Sequence, residues 1–238
     1  MTSDAILSVA GLDVFYGASK ILFGVDLEVG RGRTLALLGR NGAGKSTTLK
    51  AIAGVAPPRK GNVRLGTSDL AGSRPDAIAR AGIGYVPEDR QVFPMHSVED
   101  NLAIGAKLGP DGQDFWKLET VYETFPILAR MKERRAGLMS GGEQQMLTIA
   151  RALMTNPDLI ILDEATEGLA PLIRLEIWVV IRHIKSTGIA SIIVDKDINA
   201  LLPICDRNYI INKGEVVYHG RSRELLENPE LHKQYLGV

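Results

Sequence analysis

The chain has 238 residues, with 28 Lys and Arg balancing 28 Asp and Glu for a formal net charge of zero. That balance gives a nucleic-acid partner no global electrostatic support. A single cysteine, Cys205, excludes an internal disulfide, and no apolar stretch approaches the roughly 18–20 residues of a membrane-spanning helix.

The first residues, Met1 to Ala5, lack the basic-then-apolar pattern of a secretory signal, so an intracellular protein is expected. Residues 5–29 alternate apolar and polar in short runs broken by Gly17 and Gly24, which predicts antiparallel strands. The run Thr34–Leu38 reads as a buried strand and Lys45–Ala53 as a helix. Pro57, Pro58 and Gly61 predict a turn, and Val63–Leu65 a short strand. Pro75–Ala81 is expected to be helical and Ile83–Val86 extended.

After Pro87 the pattern becomes helical to about Thr155. Ser97, with Asp100 three residues on, is a helix start. Phe115–Phe125 and Gly141–Met154 read as further helices. Leu159–Leu162 and Ser191–Val194 read as strands, with a helix after Pro171 between them. Ile198–Cys205 is expected to be a helix, Arg207–Ile211 and Glu215–Tyr218 a hairpin, and Ser222–Leu236 a helix interrupted near Pro229. The expected fold class is α/β, a helical insert inside an α/β core that begins with antiparallel strands.

Two segments have the chemistry of anion sites. Gly39, Gly44, Lys45 and Ser46 fit G-x-x-x-x-G-K-[ST] between a strand and a helix. Such a loop, here Gly39, Asn41, Gly42, Ala43, Gly44, Lys45, Ser46 and Thr47, curls backbone N–H groups around phosphates. The helix dipole adds its positive end. Lys45 is expected to reach the β- and γ-phosphates of ATP, and the Ser46 hydroxyl to ligate Mg²⁺. Asp163, at the end of an apolar strand, is placed to hold Mg²⁺ through water, and Glu164 to orient or activate an attacking water. The second segment, Ser140, Gly141, Gly142 and Glu143, opens a long helix with free N–H groups. Tyr16 offers an aromatic face for adenine, with a half-buried core tyrosine as the competing reading.

The set Tyr16, loop 39–46, Glu88, segment 140–144, Asp163–Glu164 and a switch segment at Val194–Asp197 resembles the ATP-binding-cassette ATPases over essentially the whole chain. The resemblance implies a phosphate-loop NTPase (RecA-like) core with an N-terminal antiparallel β subdomain and an inserted helical subdomain, in one domain over 1–238 with 1–87 and 157–238 forming the nucleotide-binding core and 88–156 the helical signature subdomain. It also implies a head-to-tail pair of cassettes, homodimeric or heterodimeric. Each ATP would lie between one subunit's phosphate loop and the other's signature helix. It implies Glu88 as a further Mg²⁺ ligand and two integral-membrane permease subunits as partners. It places the subunit peripherally on the cytoplasmic face of the inner membrane. A periplasmic binding protein would act indirectly.

Tyr85–Phe93, Ser140–Met146, Gly168–Pro171 and the ending Gln234–Val238 are similar to ATPase subunits of branched-chain amino-acid importers, in particular the shorter second cassette. Import of urea, amides or organic acids by the same engine, and a soluble cassette that moves no solute, are the alternatives. The chain departs from the wider family in having Glu88 for Gln, Ala165 for Pro, Ala170 for Asp and Lys196 for His. Lys196 is expected to contact the γ-phosphate, and the alternative is an exposed lysine with no catalytic part.

Overall fold

The protein's structure is a computed structural model that describes residues 5–228 and Glu230. Two long strands come first, β1 (Ala5–Tyr16) and β2 (Ser19–Gly30), paired antiparallel as the alternation predicts. They are followed by β3 (Thr34–Leu38), α1 (Lys45–Ile52), β4 (Lys60–Leu65), β5 (Ser68–Asp69), α2 (Pro75–Arg80) and β6 (Ile83–Val86). Next come α3 (Val98–Gly105), α4 (Leu118–Thr124), α5 (Pro126–Arg130) and α6 (Gly141–Leu153). The chain then runs through β7 (Leu159–Asp163), α7 (Pro171–Ser186), β8 (Ala190–Val194), α8 (Ile198–Leu201), β9 (Arg207–Asn212), β10 (Glu215–Arg221) and α9 (Ser222–Leu226).

These elements make two sheets. One is antiparallel, in the order β2-β1-β4-β5, and the other runs β10-β9-β3-β8-β7-β6. The second sheet is parallel from β9 to β6, with β10 antiparallel at its edge. Its central strands are buried on both faces, which is why they read as unbroken apolar runs rather than alternations.

Alternate residues of those strands feed two separate cores. Leu35, Leu37, Ile161 and Ile192 face α1 and the antiparallel sheet. Ala36, Leu38, Ile160 and Ile193 face the opposite way, with Met146 and Ile149 of α6 and Ile177 and Ile181 of α7. A period of two in the sheet thus glues a β layer to one face and a helical layer to the other. Helices α3 to α6 fall between β6 and β7, so the helical stretch read after Pro87 is inserted into the parallel sheet's connectivity.

Three expected elements differ in extent. Gly61 lies inside β4 rather than in a turn; a Cβ there would sit 2.5 Å from the Gly11 carbonyl oxygen, at a register shift between Ala10 and Asp13. A glycine at that point permits close backbone approach at a bulge. The helix expected over 115–125 starts only at Leu118, because the Trp116 N–H is claimed by Asn156 Oδ1 at 2.8 Å. Helix α8 ends at Leu201, since Pro203 has no N–H to continue it. The Ser97 start is as expected, with a reciprocal Ser97–Asp100 capping box. The expected tail helix is described over Ser222–Leu226; Gln234–Val238 lie outside the described residues.

Candidate active site

The carboxyl ends of β3 and β7 open onto one cleft of about 440 Å³, lined by Tyr16, Ile21, Asn41, Gly42, Gly44, Lys45, Ser46, Thr47, Glu88, Glu164 and Lys196. Its floor follows from the glycines. Gly39 has φ 144°, and a side chain there would collide with the Ile211 carbonyl. The loop therefore packs against β9 before it turns. Helix α1 begins at Gly44 with no side-chain cap and no acidic residue in its first turn. Its leading N–H groups are left for an anion in the cleft.

Lys45 donates to the Gly39 carbonyl at 2.9 Å and to the Arg40 carbonyl at 3.2 Å, which folds the loop around its ammonium. Burial pushes the Lys45 ammonium below its ordinary pKa, and Asp163 pulls it back up. Ala43 is buried and carries the loop into the core beside α1.

Asp163 is 1% exposed, and its two oxygens have separate partners. Ser46 Oγ donates to Oδ1 at 3.1 Å, and the Tyr85 hydroxyl donates to Oδ2 at 3.3 Å. Burial raises the Asp163 carboxyl above the usual carboxylate range, against those two hydrogen bonds, which lower it. Burial and the neighbouring Asp163 also raise the Tyr85 phenol, so it stays a protonated donor at neutral pH.

Glu164 follows in a left-handed conformation, φ 51°, with its backbone N–H bonded to the Val194 carbonyl at 2.8 Å. That turn directs Asp163 and Glu164 to different places, and Glu164 into the cleft. Lys196 Nζ lies 3.6 Å from Glu164 Oε2 and pairs directly with Glu167. Carboxylate oxygens of Glu88, Glu164 and Glu167 lie within 4.8 Å of one another. Ser46, bonded to Asp163, and Glu88 line the same cleft, and a hydroxyl with two carboxylates is the hard, all-oxygen donor chemistry that fits Mg²⁺. Tyr16 is 50% exposed, lines the cleft and belongs to neither buried cluster.

Ser140, Gly141, Gly142 and Glu143 do not line this cleft. They form the start of α6, where Ser140 N–H donates to Glu143 Oε2 at 2.7 Å and Glu143 N–H to Ser140 Oγ at 3.3 Å. The Glu143 carboxylate is thus occupied in a capping box. Gly142 also has a packing reason to be glycine, since a Cβ there would sit 2.5 Å from Ile173 Cγ2 of α7.

Three contributors are not apparent from sequence. Tyr85 reaches Asp163 from β6, a neighbour only because β6 and β7 pair with Tyr85 opposite Ile161. Glu167 meets Lys196 across two loops. Asp195 accepts from Thr166 N at 3.2 Å and from Thr166 Oγ1 at 2.7 Å, tying those loops together. An acid three residues after Glu164 is visible in the sequence as a loop carboxylate, but its partner is not.

A phosphate loop, a strand-end aspartate bonded to the loop serine, and an adjacent glutamate define a nucleotide-hydrolysing phosphate-loop protein. Comparison with known proteins narrows this class: the ABC transporter family profile matches residues 22–167, and the chain belongs to that family as an ATPase. It is 40% identical over 233 residues to the high-affinity branched-chain amino acid transport ATP-binding protein BraG of Pseudomonas aeruginosa, covering 98% of this chain and 100% of that one. It is 33% identical to the lipopolysaccharide export system ATP-binding protein LptB of Escherichia coli, covering 98% of each. Among solved structures, the dimeric post-hydrolysis cassette MJ0796 bound to ADP and phosphate superposes with TM-score 0.77 at 25% identity, over 91% of this chain and 99% of that one. No helix among the described residues is long and apolar enough to cross a membrane.

Proposed function

We propose that this chain is the ATP-hydrolysing subunit of an importer for branched-chain or related amino acids. The observation that carries the reading is full-length 40% identity to a branched-chain amino acid transport ATP-binding protein, together with an intact cleft. In this reading two cassettes, this chain and an identical or different partner, sit peripherally at the cytoplasmic face of the membrane. They drive two permease subunits, and a periplasmic binding protein delivers the solute. The segment 88–156 is the helical unit that meets the permeases, and 1–87 with 157–238 is the nucleotide-binding core.

The proposed roles follow the geometry. Tyr16 stacks on adenine. The N–H groups of Gly39 and Asn41 to Thr47 cradle the phosphates, and Lys45 neutralises the β- and γ-phosphates. Ser46, Glu88 and Asp163 hold Mg²⁺, which supplies charge neutralisation at the phosphates when bound. Glu164 orients the water that attacks the γ-phosphorus as the bond to ADP breaks, and Lys196 meets the developing charge on the γ-phosphoryl oxygens. Ser140, Gly141, Gly142 and Glu143 serve the partner's ATP, the Glu143 carboxylate by holding the helix start in shape. The MJ0796 dimer with ADP and phosphate supports a paired arrangement.

The 33% identity to an export-system ATPase supports a second reading, in which the same engine drives export. Affinity purification of this chain from its native membranes, with mass spectrometry of bound subunits, separates the two. Recovery of two permeases, with loss of radiolabelled leucine uptake in a Glu164→Gln strain, is the expected outcome. Recovery of an export assembly with unchanged uptake would overturn the importer reading.

A further inference from the structure

We propose that Glu167 is a positioning residue for ATP hydrolysis, holding the Lys196 ammonium close to Glu164 without letting it close on the Glu164 carboxylate. The inference deepens the reading above and rests on its assignment of Glu164 and Lys196.

Lysine is a compact charge on a four-carbon stem, and fixing it costs rotamer entropy. Lys196 is half exposed, so burial does not fix it. Two carboxylates lie within its reach. It pairs directly with Glu167 and stands 3.6 Å from Glu164 Oε2. Of the two, Glu164 is the more buried, with its side chain 10% exposed against 36% for Glu167. A buried carboxylate is the stronger electrostatic magnet for a nearby ammonium. A Glu164 engaged in a tight ion pair has less free acceptor capacity for a water. Glu167 therefore competes for the ammonium and leaves the Glu164 oxygen open.

The pair is not what joins the two loops. Asp195 already bonds Thr166 through its backbone N–H and its hydroxyl, and Asp195 Oδ1 accepts the Asp197 N–H at 2.9 Å. Glu164 N–H is held separately by Val194, and Glu167 N–H donates to the Glu164 carbonyl at 3.1 Å. The backbones carrying Glu167 and Lys196 are fixed without the ion pair. What the Glu167 carboxylate adds is the address of one ammonium, at a cleft where three carboxylates converge.

The test is steady-state ATPase activity of the assembled transporter in proteoliposomes, for Glu167→Gln, Glu167→Asp, Lys196→Met and Glu167→Gln with Lys196→Met. Glu167→Gln is expected to lower kcat about tenfold, the scale of a misplaced catalytic neighbour, with KM for ATP changed less than about twofold. Glu167→Asp recovers part of that loss. The double variant matches Lys196→Met alone, because without the ammonium there is nothing left to steer. A kcat for Glu167→Gln within about twofold of wild type overturns the proposal. So does an equal further loss when the substitution is added to Lys196→Met, or a thermal midpoint that falls in step with turnover. A Glu164→Gln control that keeps full turnover would instead overturn the reading of the site itself.

Discussion

At the scale of single residues, glycine separates positions that shape the phosphate loop from positions that merely bend it. Gly42 has φ 75° with open space where a Cβ would stand, whereas a Cβ on Gly39 would be driven into the Ile211 carbonyl. Gly42→Ala is therefore expected to cost about 1 kcal/mol, the strain of a left-handed alanine. Gly39→Ala is expected to cost several-fold more, because backbone rather than a flexible side chain must yield. Urea denaturation of both variants checks the ranking, and equal midpoints would contradict it. Asp206 gives a pH prediction. Burial raises its carboxyl, but the Thr34 N–H at 2.9 Å and Lys185 Nζ at 3.0 Å outweigh that, and its pKa lies below the usual value. A depressed folded-state pKa contributes stability above the unfolded value near 3.9, and that stability is lost as pH falls through the folded value. Asp206→Asn should thus destabilise by about 1–3 kcal/mol at pH 7. The gap from wild type should close as pH falls through the folded-state pKa, below the usual carboxylate value. A gap that persists unchanged in acid would show that the loss is not electrostatic.

At the scale of elements, what the sequence reveals is local, and what it hides is long-range. The strands before and after the phosphate loop are legible because a doubly buried parallel strand is a short unbroken apolar run. The start of α3 is legible because its capping box is contained in four residues. The loop from 106 to 117 is not legible, because its organiser lies 40 residues away. Asn156, 4% exposed, accepts from Trp116 N–H and donates to the carbonyls of Lys107 at 2.9 Å and Trp116 at 3.3 Å. Phe115 and Trp116 look helical until that amide claims the backbone. The same limit applies to the site. The phosphate loop and Asp163 are readable from motif and strand end, whereas Tyr85 and Glu167 become partners only through strand pairing and loop contact. Asn156→Ala is expected to cost about 2–4 kcal/mol, from a buried N–H left unpaired and a non-glycine residue held at φ 46°. Asn156→Gly, which keeps the backbone conformation but not the amide, should recover only the strain portion. Equilibrium denaturation of the pair divides the two contributions, and full recovery by glycine would mean that the amide bonds contribute nothing.

At the scale of the whole molecule, the decisive relation is between two helix starts that face different surroundings. The first, at α1, is uncapped and opens onto the cleft. The second, at α6, begins at Ser140, which is exposed and outside that cleft. One nucleotide bound in the cleft of one chain leaves the second helix start unused within that chain. In the proposed pair a second cassette's nucleotide occupies it, and the two sites then have separable energetics. Lys45→Ala removes a cation that the loop folds around, so nucleotide binding by the isolated chain should weaken by at least about tenfold. Ser140→Arg places a bulky side chain at the α6 start, away from the cleft. It should leave the isolated chain's affinity for a fluorescent ATP analogue within about twofold of wild type, while ATPase activity of the assembled transporter falls by about 100-fold or more, as expected when an electrostatic contact made across the pair is lost. Serine is the position to change, because Gly142 is pressed against Ile173 and a substitution there would disturb α7 as well. Weakened analogue binding by monomeric Ser140→Arg would place the signature helix in the same chain's nucleotide site. That result would remove the structural reason for a second cassette.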